Sequence, residues 1–317
     1  MSRGLQDPKF MKDESMLTAL IELAAIFIRN HSNRIVNTNP NLVKQILQGF
    51  HILTFNLVVD NHEYLEEIID WNGLFIRCLE IWQEFLDSVR LSLENSTGPN
   101  KTSSFYVGIY PELMEALVQA IQCRASSKVA GLDRQKSFTA DIKQTDDNEN
   151  DEVEDTNLSE WDEFFQNIIS TMVEMGRIPE ASNMVFNRLV GLMDDASTAL
   201  KEEIMSIKSM QDSAKRRSTT SFDSSCSTDM TQGIEPLLQD IAAVITAFEQ
   251  MFEFASHDTT VKQVFQQMFE ITIWTESCPE GFLIYEELIT EVFTACLFSL
   301  KAVLPWVYFK VTKKIND

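Results

Sequence analysis

The chain has 317 residues, a hydrophobic fraction of 44% and a formal net charge of −22. That length admits two domains or one elongated array, and the apolar fraction supplies a sizeable core. The charge works against nucleic-acid binding, where neutralising phosphates dominates affinity, and the scarcity of glycine (10) and proline (8) disfavours an all-β fold rich in tight turns.

Apolar residues recur at helical spacing from the start of the chain. Leu17, Leu20, Ile21, Ala24, Phe27 and Ile28 form one stripe, predicting a helix over residues 15–31. A second helix follows Pro40, whose fixed φ suits a first helical turn, and carries Leu42, Val43, Ile46, Leu47, Phe50 and Leu53. The clearest stripe comes next, in alternating steps of four and three: Trp71, Phe75, Cys78, Trp82, Phe85, Val89 and Leu93. It places Trp71, Phe75, Trp82 and Phe85 in the core. A fourth helix is predicted over residues 105–124, with Pro111 near its start.

Residues 125–157 then read as an acidic disordered loop. Seven of the ten positions from 146 to 155 are acidic: Asp146, Asp147, Glu149, Asp151, Glu152, Glu154 and Asp155. A block this charged cannot bury enough apolar surface to offset the entropy of ordering. Directly behind it, Trp161 opens a predicted core-anchored helix over residues 158–176. Another runs over 180–211, with a break expected near Asp194–Ser197, where helix-poor residues cluster. Residues 212–232 form a Ser/Thr-rich linker, and three helices, at 234–256, 259–276 and 281–312, finish the chain. No segment alternates convincingly enough to be a strand.

The expected fold class is therefore all-α. Many of these helices are apolar around more than half their circumference, and they follow one another through short turns. That suits an α-solenoid of HEAT/ARM-like antiparallel pairs, about five of them in right-handed stacking. An irregular helical bundle is the alternative. The organisation predicted is helical repeats over 14–124 (about two pairs), the acidic loop 125–157, a repeat over 158–211, the linker 212–232 and further repeats over 233–312.

Chemistry-bearing motifs are sparse. The four histidines have no partner at metal spacing, and His62-Glu63 lacks the second histidine of a zinc-protease helix because position 66 is glutamate. No two glycines lie closer than ten positions apart, which excludes the dinucleotide fingerprint and the phosphate-binding loop. Neither a Gly-x-Ser-x-Gly elbow nor a Cys-x-x-Cys pair occurs. The five cysteines are odd in number and widely spaced, so free thiols in a reducing compartment are expected. The expectation is a protein that is not an enzyme and has no cofactor or metal. The most apolar stretch, residues 281–309, carries Glu286, Glu287, Glu291 and Lys301, so membrane insertion is not expected. Lys215–Phe222 sets basic residues before hydroxyls, which suits a kinase site, a nuclear-import signal or a plain solubilising linker.

Three stretches carry a resemblance to a known family. "LIELAAIFIRNHSNRIVNTNPNLVKQILQGFHILTF" looks like a repeat whose first helix ends in a basic turn before an aromatic second helix. "FIRCLEIWQEFLDSV" looks like a first repeat helix, with Cys78, Leu79, Ile81, Trp82, Phe85 and Leu86 at matching steps. "DDNENDEVEDTNLSEWDEFFQNIISTMVEM" is similar to an acidic inter-repeat loop followed by an amphipathic helix. Together they resemble the central region of the importin-β superfamily of nuclear transport receptors, most closely its actin–profilin exporters. The resemblance implies a HEAT-repeat scaffold that shuttles between nucleus and cytoplasm, with protein cargo (actin–profilin among the candidates) and the Ran GTPase as partners. It also implies a role for the acidic block in touching cargo or Ran, since loops like it can do so in such receptors; a loop that serves solubility alone is the alternative. Members of that family are several times longer and bind Ran mainly through N-terminal repeats. The first and last helices here are also too apolar for solenoid caps, so a fragment or a shortened relative is expected. A generic helical-repeat scaffold without transport activity is the alternative.

Overall fold

The computed structural model describes residues 13–37, 40–58, 71–95, 108–122, 160–217, 234–254, 258–276 and 285–316. Among them the protein is all-α, with no strand. The helices are α1 (Glu14–Asn37), α2 (Pro40–Val58), α3 (Trp71–Asn95), α4 (Tyr110–Ile121), α5 (Glu160–Gly176), α6 (Pro179–Arg217), α7 (Ile234–Met251), α8 (Asp258–Glu276) and α9 (Glu286–Asn316). The acidic loop 125–157 lies outside the described residues, as does the linker beyond Arg217.

Local chemistry sets several helix ends. Asp13 caps α1: its side chain accepts the Met16 N–H at 3.0 Å, and its carbonyl accepts the Leu17 N–H. Pro111 sits in the first turn of α4, where its missing N–H costs nothing. Pro179 does the same for α6, and the buried Ile178 carbonyl just before it accepts the N–H groups of Ala181 and Ser182.

Contacts divide the chain into two compact units, residues 1–182 and 183–317. In the first, α1 packs on α3 and α3 on α5, while α2 packs on α4. Contacts of α2 with α3 and of α4 with α5 join these two rows. The core between them is built from Leu17, Ile21, Phe50, Leu53, Leu117 and Phe164 and their neighbours, all fully buried. In the second unit α9 packs on both α7 and α8. Phe186 of α6 meets Phe248 of α7 edge-on, with ring centroids 5.4 Å apart. Polar bonds from α6 reach α8, as described below. Within each unit, then, a helix finds a partner two elements away as well as next in sequence.

Two local expectations fail on α6. It is one continuous helix through Asp194–Ser197, where a break was expected, and it runs on to Arg217, across the first residues of the expected linker. The helix-poor cluster costs only a few tenths of a kcal/mol per residue. Against that stands an unbroken buried stripe of Leu189, Leu192, Met193, Ala196, Leu200 and Ile204. The side chain that could have competed with the backbone is also engaged elsewhere. Asp194 Oδ2 accepts a hydrogen bond from Gln263 Nε2 of α8 at 2.9 Å, and Oδ1 accepts one from Gln267 Nε2.

In α9, residues 286–305 are long and apolar enough to cross a membrane by length and composition alone. One side of that stretch (Val292, Cys296, Ser299 and Val303) is buried in the unit. The Ser299 hydroxyl donates to the Ile245 carbonyl of α7 at 2.7 Å. Its other side exposes Leu297, Phe298 and Leu304, and α8 exposes Phe265, Phe269 and Ile273 at one-turn spacing. In the first unit, α1 exposes Met16, Leu23 and Ile26.

Candidate functional site

Of the aromatic stripe on α3, Phe75, Trp82 and Phe85 are wholly buried. Phe75 meets Phe164 of α5, ring centroids 5.5 Å apart, and Trp82 meets Phe50 of α2 at 5.1 Å. The Trp82 indole Nε1–H donates to the Thr54 hydroxyl at 3.0 Å, and that hydroxyl donates to the Phe50 carbonyl at 2.9 Å. The Cys78 thiol lies in hydrogen-bonding reach of the same oxygen. The Thr54 hydroxyl thus ties α2 to α3, accepting from Trp82 while donating within its own helix. The side chains of Trp71 and Trp161 lie outside the described residues. So do Asp146, Asp147, Glu149, Asp151, Glu152, Glu154 and Asp155.

The two described thiols, Cys78 and Cys296, are not built for nucleophilic chemistry. Burial pushes Cys78 up to about 12, partly offset by Thr54, and burial pushes Cys296 up to about 11. A reactive cysteine needs the opposite shift. His51 donates from Nε2 to the Glu112 carbonyl at 2.9 Å, and its Nδ1 lies 3.7 Å from the Glu112 carboxylate, with no nucleophile placed beside it among the described residues. Nor do any three His, Cys, Asp or Glu side chains among those residues gather at metal-binding distance.

An ionic row joins α1 to α3. Arg77 Nε donates to Glu22 Oε1 at 2.9 Å, and the same guanidinium pairs with Glu80 one turn along. Arg29 forks onto both Glu84 oxygens, Nε donating to each at 2.9 Å. The Arg77 hydrogen bond holds the Glu22 carboxyl below its ordinary value, and Glu84 raises the Arg29 guanidinium further. These groups are solvent-facing, so the row orients two helices more than it stabilises them.

A pocket lies inside the second unit between α6 and α8. It holds about 80 Å³ and is lined by Ser197, Leu200, Lys201, Ile204, Gln267, Glu270, Ile271 and Trp274. Lys201 Nζ donates to Glu270 Oε2 at 3.3 Å, both side chains being exposed. Glu270 is held below its ordinary value by the Gln266 side-chain amide and then by Lys201. Sequence reasoning missed this pocket, because its walls come from segments about 70 positions apart and no periodicity couples them.

Set against protein families, curated proteins and solved structures, the chain has no match.

Proposed function

We propose that this chain is a helical-repeat binding protein, and specifically a segment of a Ran-dependent nuclear export receptor that carries protein cargo between nucleus and cytoplasm, with actin–profilin as the leading cargo candidate. The observation that carries the reading is the packing of alternate helices. In the first unit α1, α3 and α5 succeed one another while α2 and α4 form the companion row. In the second, α6 bonds to α8 and α7 packs on α9. Helix pairs stacked into an array produce this pattern, because each repeat contacts its neighbours and little else. The wholly buried Trp82 agrees with helices packed face to face in such an array. The transport reading rests further on the three stretches that resemble importin-β receptors.

In this reading many small helix-pair interfaces flex together, and cargo and Ran·GTP binding are coupled through the curvature of the array. The acidic block, with seven acidic residues in ten, speeds encounter with a basic partner and discriminates by charge more than it adds affinity. The test is capture of Ran locked in its GTP state, and of profilin–actin, by the immobilised chain. Nucleotide-dependent capture of Ran supports the transport reading. Capture of neither protein removes it and leaves a helical-repeat scaffold without transport activity.

A further inference from the structure

In a chain of net charge −22, the stretch from Val292 to Asn316 has no acidic residue and four lysines: Lys301, Lys310, Lys313 and Lys314. All of it lies on α9. The same helix holds large apolar side chains out in solvent, with Leu304 60% and Tyr308 72% exposed, and Leu297, Phe298 and Val307 exposed as well. Charge of the minority sign and exposed apolar surface thus fall on one helix.

The packing of the second unit says which way this surface opens. Ser299 of α9 bonds to α7, and Val292, Cys296 and Val303 are buried on that side. Leu297 and Leu304 lie on the far side of α9 from Ser299, by the helical repeat. On α8, Gln263 and Gln267 reach Asp194 of α6, and the exposed Phe265 and Phe269 lie on the opposite side. The helices α8 and α9 pack on each other, so both apolar stripes sit on the outer side of one helix pair, away from α6 and α7.

We propose that this outer face is a docking surface for an anionic lipid bilayer, along which α9 lies flat. Charge complementarity is the first argument. The chain's remaining negative charge is screened beyond a Debye length of about 8–10 Å, so the sign of the touching segment decides. Width is the second. Leu304, Pro305, Val307 and Tyr308 are all exposed and together span an arc of about 160°, broader than the narrow seam a single partner helix covers. Residue type is the third. Trp306, Tyr308 and Phe309 stand between the apolar stretch and the last three lysines, and aromatic residues of this kind settle at headgroup level. Residues 286–305 are long and apolar enough to span a bilayer, but the side tied to α7 keeps the helix with the protein. It rests in the interface and does not cross. The surface stands independently of the transport reading.

The experiment sediments the full chain with vesicles of phosphatidylcholine alone, and with vesicles that also contain about one third phosphatidylserine. Binding to the anionic vesicles only, weakening as salt rises, is expected. Replacing Lys310, Lys313 and Lys314 by Gln should lower that affinity on the order of a hundredfold. Leu304→Ser with Tyr308→Ser changes no charge and should lower it about tenfold. Both sets of changes fall outside the buried core, so circular dichroism melts should match the native chain. Equal sedimentation with both vesicles, no binding to either, or binding that survives either variant overturns the proposal. A dimer in sedimentation velocity that Leu304→Ser with Tyr308→Ser dissolves, without vesicle binding, overturns it in favour of a second copy of this chain.

Discussion

Trp82 gives the sharpest test of the packing, because its ring and its N–H can be perturbed separately. The side chain is wholly buried, so Trp82→Ala removes a large aromatic and leaves a cavity, at a cost of about 3–5 kcal/mol. The polar part is reached from the other side. Thr54→Val keeps the shape of residue 54 but leaves the indole N–H buried with no acceptor, which costs about 1–3 kcal/mol. In a Trp82→Phe background there is no N–H left to orphan. Thr54→Val then removes the bond to the Phe50 carbonyl and the weak contact with the Cys78 thiol, together worth about 0.5–1 kcal/mol. The two sites should therefore couple by about 1–2 kcal/mol in a double-mutant cycle. Urea unfolding followed by circular dichroism gives the four stabilities, and amide exchange across Leu79–Leu86 locates the loss in α3. An equal cost of Thr54→Val in both backgrounds would refute the bond. A Trp82→Ala protein that melts with the native one would refute the buried placement itself.

Three further outcomes follow from the same structure. Cys78, raised to about 12 by burial, should resist iodoacetamide at pH 8.5 until urea unfolds the chain. Because the folded state keeps this proton longer than the unfolded one, its stabilising contribution is complete below about pH 9 and declines by about 1.4 kcal/mol per pH unit from there to about pH 12; Cys78→Ser should flatten that decline in urea titrations. Glu22 shifts the other way, so its contribution to the α1–α3 contact is present above its ordinary value of 4.5 and is lost as pH falls through the lower folded value. Glu22→Gln should remove that part of the acid dependence, most visibly at low salt. Finally, replacing the seven acids between 146 and 155 by Asn and Gln should leave the melting temperature within the range of ordinary surface substitutions, about ±0.5 kcal/mol. The same change should slow association with Ran·GTP or profilin–actin at low salt, and an unchanged on-rate in surface plasmon resonance would reduce the block to a solubilising spacer.

What could be read from the sequence was whatever repeats within one helix. The four-and-three spacing of Phe75, Cys78, Trp82 and Phe85 defines one face, and that face is buried. Trp82's partner Thr54 lies 28 positions away on another helix and leaves no trace in the spacing. Asp194 was misread for a related reason. Its short polar side chain favours helix ends in isolation, and only the glutamines of α8, 69 and 73 positions later, keep it inside one. The acidic block was the most conspicuous stretch of the sequence, and its residues lie outside the described structure, so its role rests on composition and resemblance.

The alternate-helix packing also sets a timetable for synthesis. Glu22 and Arg29 of α1 bond to residues 55 positions downstream, and Asp194 and Lys201 of α6 to residues at least 69 positions downstream. At about 5–20 residues per second, α1 waits roughly 3–11 s after translation before α3 exists, and α6 waits a little longer for α8. During each wait an apolar helix face stands uncovered beside the ribosome. The chain thus presents a succession of brief, local exposures in place of one long global one. Slowing translation between residues 59 and 70 should prolong the first of them, and with it the association of ribosome-bound chaperones with α1.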